Sequence, residues 1–144
     1  MIERLINNNI LLAIIIRNEF QKDGIEFFTD GHFSQQLGYM KRPANYIIEP
    51  HTHNPVVREI IWTQEVLLIK SGKVRVDFYT DETIYIESRV LCSGDVILLA
   101  YGGHGFEIIE DAEIIEVKQG PFCGDQDKTR FSSVDKSKIK FSKI

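Results

Sequence analysis

Hydrophobic and polar residues alternate in short runs from Leu37 onward, with turn-forming residues at intervals of about eight to twelve positions. The clearest run is Lys73–Tyr79, in which Val74, Val76 and Phe78 share one face and the polar residues share the other. Such alternation is typical of a half-buried β-strand, because successive side chains point to opposite faces. The pattern predicts an all-β barrel or sandwich.

Turn signals on either side of this run divide the chain into consecutive hairpins. Ser71-Gly72 precedes the run and predicts a turn between two strands. Thr80–Glu82 follows it, before residues 83–87 alternate again. Two hairpin connections in succession predict a meander.

A further set of strands is predicted after the next turn. Ser93–Asp95 leads into Val96–Ala100, an unbroken apolar run suited to a central strand that is covered on both faces. Beyond it, Phe106–Ile109 and Ala112–Val117 alternate on either side of Glu110-Asp111. We expect these two runs to form another hairpin with a turn at the acidic pair.

The amino-terminal third is less regular. Leu11–Phe20 is compatible with a strand or a short helix, since a short apolar run does not distinguish them. The β-branched Ile15 and Ile16 favour a strand, and Gly24–Phe28 then resembles the return arm of a hairpin with it.

Composition limits the class of protein. The 144 residues are 43% hydrophobic and 26% charged, which indicates a globular chain with one core. The formal charge of −4 provides no broad basic field, so we do not expect nucleic acid as a partner. Residues 1–125 are expected to form a single domain, and 126–144 a polar, lysine-rich tail whose end is mobile.

The apolar segments do not predict membrane insertion. The longest, Ile10–Ile16, is far shorter than the roughly 20 residues that cross a bilayer. No positively charged leader precedes it, and we expect a cytoplasmic protein. Cys92 and Cys123 are too few for a disulfide framework and are expected to be reduced thiols.

Three of the four histidines form the main candidate for chemistry. His51 and His53 are two residues apart, so on a strand they point to one face while Thr52 points away. Glu65 and His104 follow in later predicted strands. Imidazole and carboxylate groups are ordinary ligands for zinc, iron, manganese or nickel, and three histidines with one carboxylate can leave positions open for a substrate.

These residues resemble the sequence motifs of the cupin superfamily. Its members are small jelly-roll β-barrels, also called double-stranded β-helices. The match covers about residues 45–118. His51-Thr52-His53 fits the HxH element of the first motif, and Glu65 with Gly72 fits its E(x)6G element, in which the glycine makes the turn between strands. The loop from Asn54 to Gln64 is longer than the family's usual spacing, and Glu59 competes with Glu65 as the acidic ligand.

The second cupin motif is matched more loosely. Gly94 and Gly102 fit it, and His104 lies near the family's last ligand, although Ala100 replaces a proline and Ile108 an asparagine. The resemblance implies a divalent transition metal bound by His51, His53, Glu65 and His104.

The segments around Gly102–Glu107 and Glu116–Pro121 resemble a subgroup of small cupins associated with bacterial surface-polysaccharide synthesis. This implies a small polar substrate that is sugar-like or anionic. The first hypothesis is a metal-dependent enzyme, with isomerisation and oxygen-dependent cleavage both open. The alternatives are a metal-free sugar-nucleotide isomerase or epimerase with His51 or His53 as general base, and a non-catalytic cupin that binds a small ligand.

Three residues are candidates for substrate binding. Arg58 and Arg75 could hold an anionic group near the barrel mouth, because a guanidinium matches carboxylate and phosphate. Tyr101 could line the cavity. Barrels of this kind often pair, and the apolar Leu11–Ile16 suggests a homodimer contact.

Overall fold

The computed structural model describes residues 1–141, and their regular secondary structure is almost entirely antiparallel β. This confirms the all-β prediction. Within these residues, eight strands are followed by two short 3-10 helices, at Gly124–Asp127 and Lys136–Lys138. The strands are β1 (Ile2–Asn7), β2 (Ile10–Ile16), β3 (Gly24–Phe27), β4 (Gly38–Lys41), β5 (Glu65–Tyr79), β6 (Tyr85–Cys92), β7 (Val96–Leu99) and β8 (Gly103–Lys118).

The long strand β5 organises the main sheet. One edge of β5 pairs with β8 from Glu65 to Tyr79. The other edge pairs first with β7 and then with β6, and β7 pairs in turn with β2, which pairs with β1. The sheet curls strongly into a half-barrel. Strands β3 and β4 form a separate two-stranded sheet, so the prediction that the Gly24 segment pairs with β2 was wrong.

Two predicted turns are bulges inside continuous strands. Ser71-Gly72 lies within β5 and Glu110-Asp111 within β8, and the register shifts repeatedly where they face each other. Gly72 has a φ of +80°, and a Cβ there would collide with the Asp111 carbonyl. The two predicted turns therefore do not end any strand. They are bulges that bend the ladder between β5 and β8.

The segment that carries His51 and His53 is not a strand. Residues 42–63 are exposed and have no ladder partner. Pro43, Pro50 and Pro55 each lack the backbone N–H that a ladder requires. The prediction that the histidine pair shares one face of a strand was therefore wrong.

The core lies inside the curl. It combines alternate residues of β5 with the buried strand β7, which confirms the prediction of a central strand at Val96–Ala100. The strand prediction for Leu11–Phe20 is also confirmed, as β2. Leu12–Ile16 are buried in the core and are not available for the predicted dimer contact. The homodimer itself stays a prediction.

Two charged residues on the polar face of β5 are also buried, which the alternating pattern did not predict. Arg75 is 9% exposed and Asp77 is 3% exposed. The guanidinium donates two hydrogen bonds to Asp77, and Ser88 on β6 donates another to the same carboxylate. These charges are tolerated because each has a partner.

The carboxyl-terminal segment covers this face. The backbone carbonyl of Lys140 accepts a hydrogen bond from the Ser88 N–H at 2.8 Å, and the Lys136 ammonium group donates one to the Glu107 carboxylate at 2.6 Å. Residues 126–141 of the predicted tail are therefore attached to the sheet at several points, although most of them are exposed, and the end of the tail at 142–144 lies outside the described residues. Within residues 1–141, no helix has the length and apolar character needed to cross a membrane.

Candidate functional site

A carboxylate and an imidazole meet where strands β5 and β8 begin. Glu65 is the first residue of β5 and His104 the second of β8. The Glu65 Oε2 and His104 Nε2 atoms lie 3.1 Å apart, with side chains 15% and 28% exposed. The structure thus brings together two of the four predicted metal ligands, in a position that is shielded but reachable.

The pair is electrostatically coupled. Hydrogen bonding to His104 holds the pKa of Glu65 below its usual value, against the opposing effect of burial, and the nearby charges of Lys118 and Lys128 add to the lowering. Glu65 is therefore a carboxylate at neutral pH, and it accepts a hydrogen bond that orients the imidazole.

A cavity of about 810 Å³ is lined by both members of the pair. Trp62, Tyr79 and Phe131 supply aromatic wall, and Tyr79 and Phe131 pack edge to face with ring centroids 5.0 Å apart. An adjoining cavity of about 450 Å³ shares Trp62 and His104 with it. These volumes suit a small organic molecule.

Tyr101 lies on this adjoining cavity, as its proposed role in substrate binding requires. Its hydroxyl donates a hydrogen bond to Asp81 at 3.0 Å, which raises the pKa of the Tyr101 phenol. The ring also packs edge to face against Trp62, with centroids 5.3 Å apart. Tyr101 is held in place by these contacts and helps to fix the exposed Trp62.

His51 and His53 contact each other rather than the Glu65–His104 pair. Their ring centroids are 5.4 Å apart, and the His51 Nδ1 atom is 3.0 Å from the Glu49 carbonyl oxygen. Across residues 1–141, no group of three or more histidine, cysteine, aspartate or glutamate side chains is arranged to hold a metal ion. The four predicted ligands are not assembled in this conformation.

The distance between the two donors matches part of a metal coordination shell. Two donors at roughly 2.1 Å from one ion are separated by about 3 Å when they subtend an angle near 95°. The 3.1 Å between His104 Nε2 and Glu65 Oε2 therefore fits two adjacent positions of a coordination shell. The described residues supply no third ligand beside them, so they do not form a complete metal site in this conformation.

The other predicted residues lie elsewhere. Arg58 is exposed, and its guanidinium is 3.4 Å from the Val56 carbonyl oxygen. Arg75 is occupied by Asp77 and Glu107. Neither arginine lines the cavities described above. Glu59, the competing acidic ligand, lines a third cavity of about 590 Å³ and is not part of the pair.

Sequence reasoning missed the carboxyl-terminal wall of the site. Residues Asp127–Phe131 line the 810 Å³ cavity, although the alternating pattern ends before them. The Phe131 ring lies close over Gly103, where a Cβ would come 3.0 Å from it. The signal that could have located this wall is the paired glycines, Gly102-Gly103, whose missing side chains leave space for an aromatic ring.

A scan against protein-family models and searches of curated proteins and of solved structures gave no match to this chain.

Proposed function

We propose that the protein is an enzyme that moves a proton on a small polar substrate, with His104 as the general base and Glu65 as the group that positions it. The observation that carries this proposal is the half-buried Glu65–His104 contact of 3.1 Å in the wall of an 810 Å³ cavity. An imidazole with a carboxylate partner has the properties required for proton transfer near neutral pH.

The chemistry needs no redox partner. The Nε2 atom of His104 is held by Glu65, which leaves Nδ1 as the ring nitrogen that can meet a substrate. The base removes a proton from the carbon next to a carbonyl, and the electron pair of the C–H bond moves into the enolate. With an α-hydroxy carbonyl substrate, the imidazolium then returns the proton to the former carbonyl carbon while the hydroxyl proton passes to the enolate oxygen, which gives an isomerase. If the enolate first turns over in the site, the same imidazolium reprotonates the original carbon from the other face, which gives an epimerase. The Glu65 carboxylate stabilises the imidazolium in between.

This proposal follows the metal-free isomerase or epimerase hypothesis but assigns the base to His104. His51 and His53 lie on the exposed segment 42–63, away from the assembled pair. We also propose a cupin-type jelly-roll barrel and a sugar-like substrate. The sequence motifs support both, and the curled antiparallel sheet is in keeping with the barrel.

Deuterium exchange tests the assignment. The protein is incubated in D2O with sugar phosphates, sugar nucleotides and 2-keto acids, and incorporation next to the carbonyl is followed by mass spectrometry. His104→Asn should lower the rate about 100-fold or more. Glu65→Gln should lower it less and change its pH profile. His32→Asn is the matched control and should retain the rate. Equal exchange in the His104→Asn protein, or none from any compound with the native protein, would overturn the proposal.

Metal binding is the second candidate function, favoured by the distance between the Glu65 and His104 donors. His51 and His53 would complete the shell if the segment 42–63 moved towards the pair. Metal binding should then weaken as pH falls through about 6 to 7, since protonated imidazole does not bind metal.

Calorimetry with Zn²⁺ and Ni²⁺ distinguishes a shared site from a surface pair. For a shared site, single substitutions of His51, His53, Glu65 or His104 each abolish binding of one equivalent, while His32→Asn has no effect. Binding that is lost only in the His51 and His53 variants would assign the ion to the exposed pair and reject the shared site.

A further inference from the structure

The carboxyl-terminal segment is fixed on both sides of the cavity. On one side, Thr63 donates a hydrogen bond to Asp127 at 3.2 Å, and Lys118 approaches the same carboxylate at 3.5 Å. On the other side, Phe131 packs on Tyr79, whose hydroxyl accepts a hydrogen bond from the Val134 N–H at 3.0 Å. The short stretch between these anchors is therefore held along the cavity rim.

Two cations lie on this stretch. Lys128 and Arg130 both line the 810 Å³ cavity that contains Glu65 and His104. Neither has an ion-pair or hydrogen-bond partner within residues 1–141. Lys128 also acts on the Glu65–His104 pair, because its charge contributes to the lowered pKa of Glu65.

The acidic groups of the cavity already have partners. Glu65 contacts His104, while Glu116 and Asp127 share the ammonium group of Lys118 at 3.9 and 3.5 Å. Lys128 and Arg130 are the charges of the cavity that are left to meet a ligand. Exposed cations beside a concave, partly apolar surface attract an oxyanion, and a guanidinium can bind it with two parallel hydrogen bonds.

The aromatic side chains of the cavity indicate the shape of the uncharged part of the ligand. Trp62 is 60% exposed and Phe131 is 39% exposed, although both rings line the cavity. Exposed ring faces at this site suit the flat or apolar face of a small cyclic molecule.

We propose that Lys128 and Arg130 form the anion-binding part of the substrate site, and that the substrate is a small ring-bearing molecule with a phosphate or carboxylate group. This inference rests on the proposed function for the identity of the site. It gives Lys128 and Arg130 the anion-binding role that the sequence predicted for Arg58 and Arg75. Lys128 and Arg130 both lie in the segment that the sequence predicted to be a polar tail.

Phenyl phosphate, benzoate and benzyl alcohol are suitable probes, because they share a ring and differ in charge. Trp62 is the single tryptophan of the chain, so its fluorescence reports on the cavity directly. The titrations are made at one fixed, low salt concentration, since salt screens exposed charges. The phosphate and carboxylate probes show which oxyanion is preferred.

The double variant Lys128→Gln/Arg130→Gln should raise the Kd of the preferred anionic probe about tenfold or more, since two charge-assisted contacts are lost. The Kd of benzyl alcohol should not change. Lys138→Gln is the matched control for the single variant Lys128→Gln, because each removes one positive charge from the same segment but Lys138 lies outside the cavity, and it should bind as the native protein does. Lys128→Arg should restore most of the affinity lost in Lys128→Gln.

Glu65→Gln and His104→Asn separate this inference from the proposed function. Both should still bind the anionic probe, because they retain Lys128 and Arg130. Retained binding together with unchanged deuterium exchange in His104→Asn would reject the proposed chemistry and leave the anion site standing. An unchanged Kd in the double variant, or an equal loss in Lys138→Gln, would overturn the anion site.

Discussion

Glu65 and His104 meet although they belong to opposite ends of one two-stranded ladder. Glu65 lies opposite Lys118 at one end of β5, and His104 lies opposite Phe78 near the other. An unbent strand of this length spans roughly 50 Å, yet the two side chains are 3.1 Å apart. The site therefore exists only because the ladder folds back on itself and because β7, paired with Glu65 through Leu99, leads directly into β8.

The bend depends on Gly72. We expect Gly72→Ala to lower the free energy of unfolding by about 2 kcal/mol or more, because the residue has a positive φ and its new Cβ would collide with the Asp111 carbonyl. Urea denaturation followed by circular dichroism measures this loss. Gly31→Ala is the matched control, with open space around its Cβ position and no positive φ, and should change stability by less than about 0.5 kcal/mol. Equal effects of the two changes would show that the bulge tolerates a side chain.

The buried ion pair on β5 gives a second prediction. Asp77→Ala should destabilise the fold by about 3 kcal/mol, because it leaves the 9%-exposed Arg75 without the partner that accepts two of its hydrogen bonds. Urea denaturation measures the change, with the exposed Glu82→Ala as control. If Asp77→Ala left stability unchanged but weakened binding of phenyl phosphate, Arg75 would be a substrate-binding residue, as first expected from the sequence.

The attachment of the carboxyl-terminal segment gives a third prediction. Tyr79→Phe removes the hydroxyl that accepts a hydrogen bond from Val134, at a cost of about 1 kcal/mol. Hydrogen exchange should become faster at the Val134 amide and remain unchanged in the core strand β7. Tyr46→Phe, on an exposed residue of the segment 42–63, is the control. Unchanged protection of the Val134 amide would mean that this bond does not anchor the segment.

The sequence predicted most strands because their apolar residues had one face to bury. Val74, Val76 and Phe78 lie in the core as expected, and so does the continuous run at Val96–Ala100. Glu65 and His104 were candidates on different grounds, their ligand chemistry and the resemblance to cupin motifs, and the structure places them in contact.

Local pattern could not predict how strands continue through a bulge. A Ser-Gly or Glu-Asp pair favours a turn whenever nothing faces it, and only the tertiary pairing of β5 with β8 turns both pairs into a bend of one ladder. Likewise, His51 and His53 would share a face only if a partner strand existed for them, and three nearby prolines oppose one.

Long-range contacts of polar residues could not be predicted from the local sequence pattern either. The lysines and arginine of the carboxyl-terminal segment carry no periodic pattern, so sequence alone assigned them to a polar, lysine-rich tail. Their position is set by a few anchoring contacts, among them Phe131 on Gly103 and Lys136 on Glu107. Such contacts link residues far apart in the chain and have no local signature.

The Lys136–Glu107 contact should make the attachment of the carboxyl-terminal segment depend on pH. Hydrogen bonding to Lys136 lowers the pKa of Glu107 from its usual 4.5, with help from the charge of Arg75. A carboxyl group with a lowered pKa in the folded state stabilises the fold above its unfolded pKa, and this contribution is lost as pH falls through the lowered value. We therefore expect native protein to be more stable than Glu107→Gln by a constant amount between pH 6 and 8, and the difference to shrink below about pH 4.5. Thermal unfolding across this range measures it, with Glu82→Gln as a control whose difference from native should stay flat. A difference that grows towards acid pH would contradict the role assigned to this ion pair.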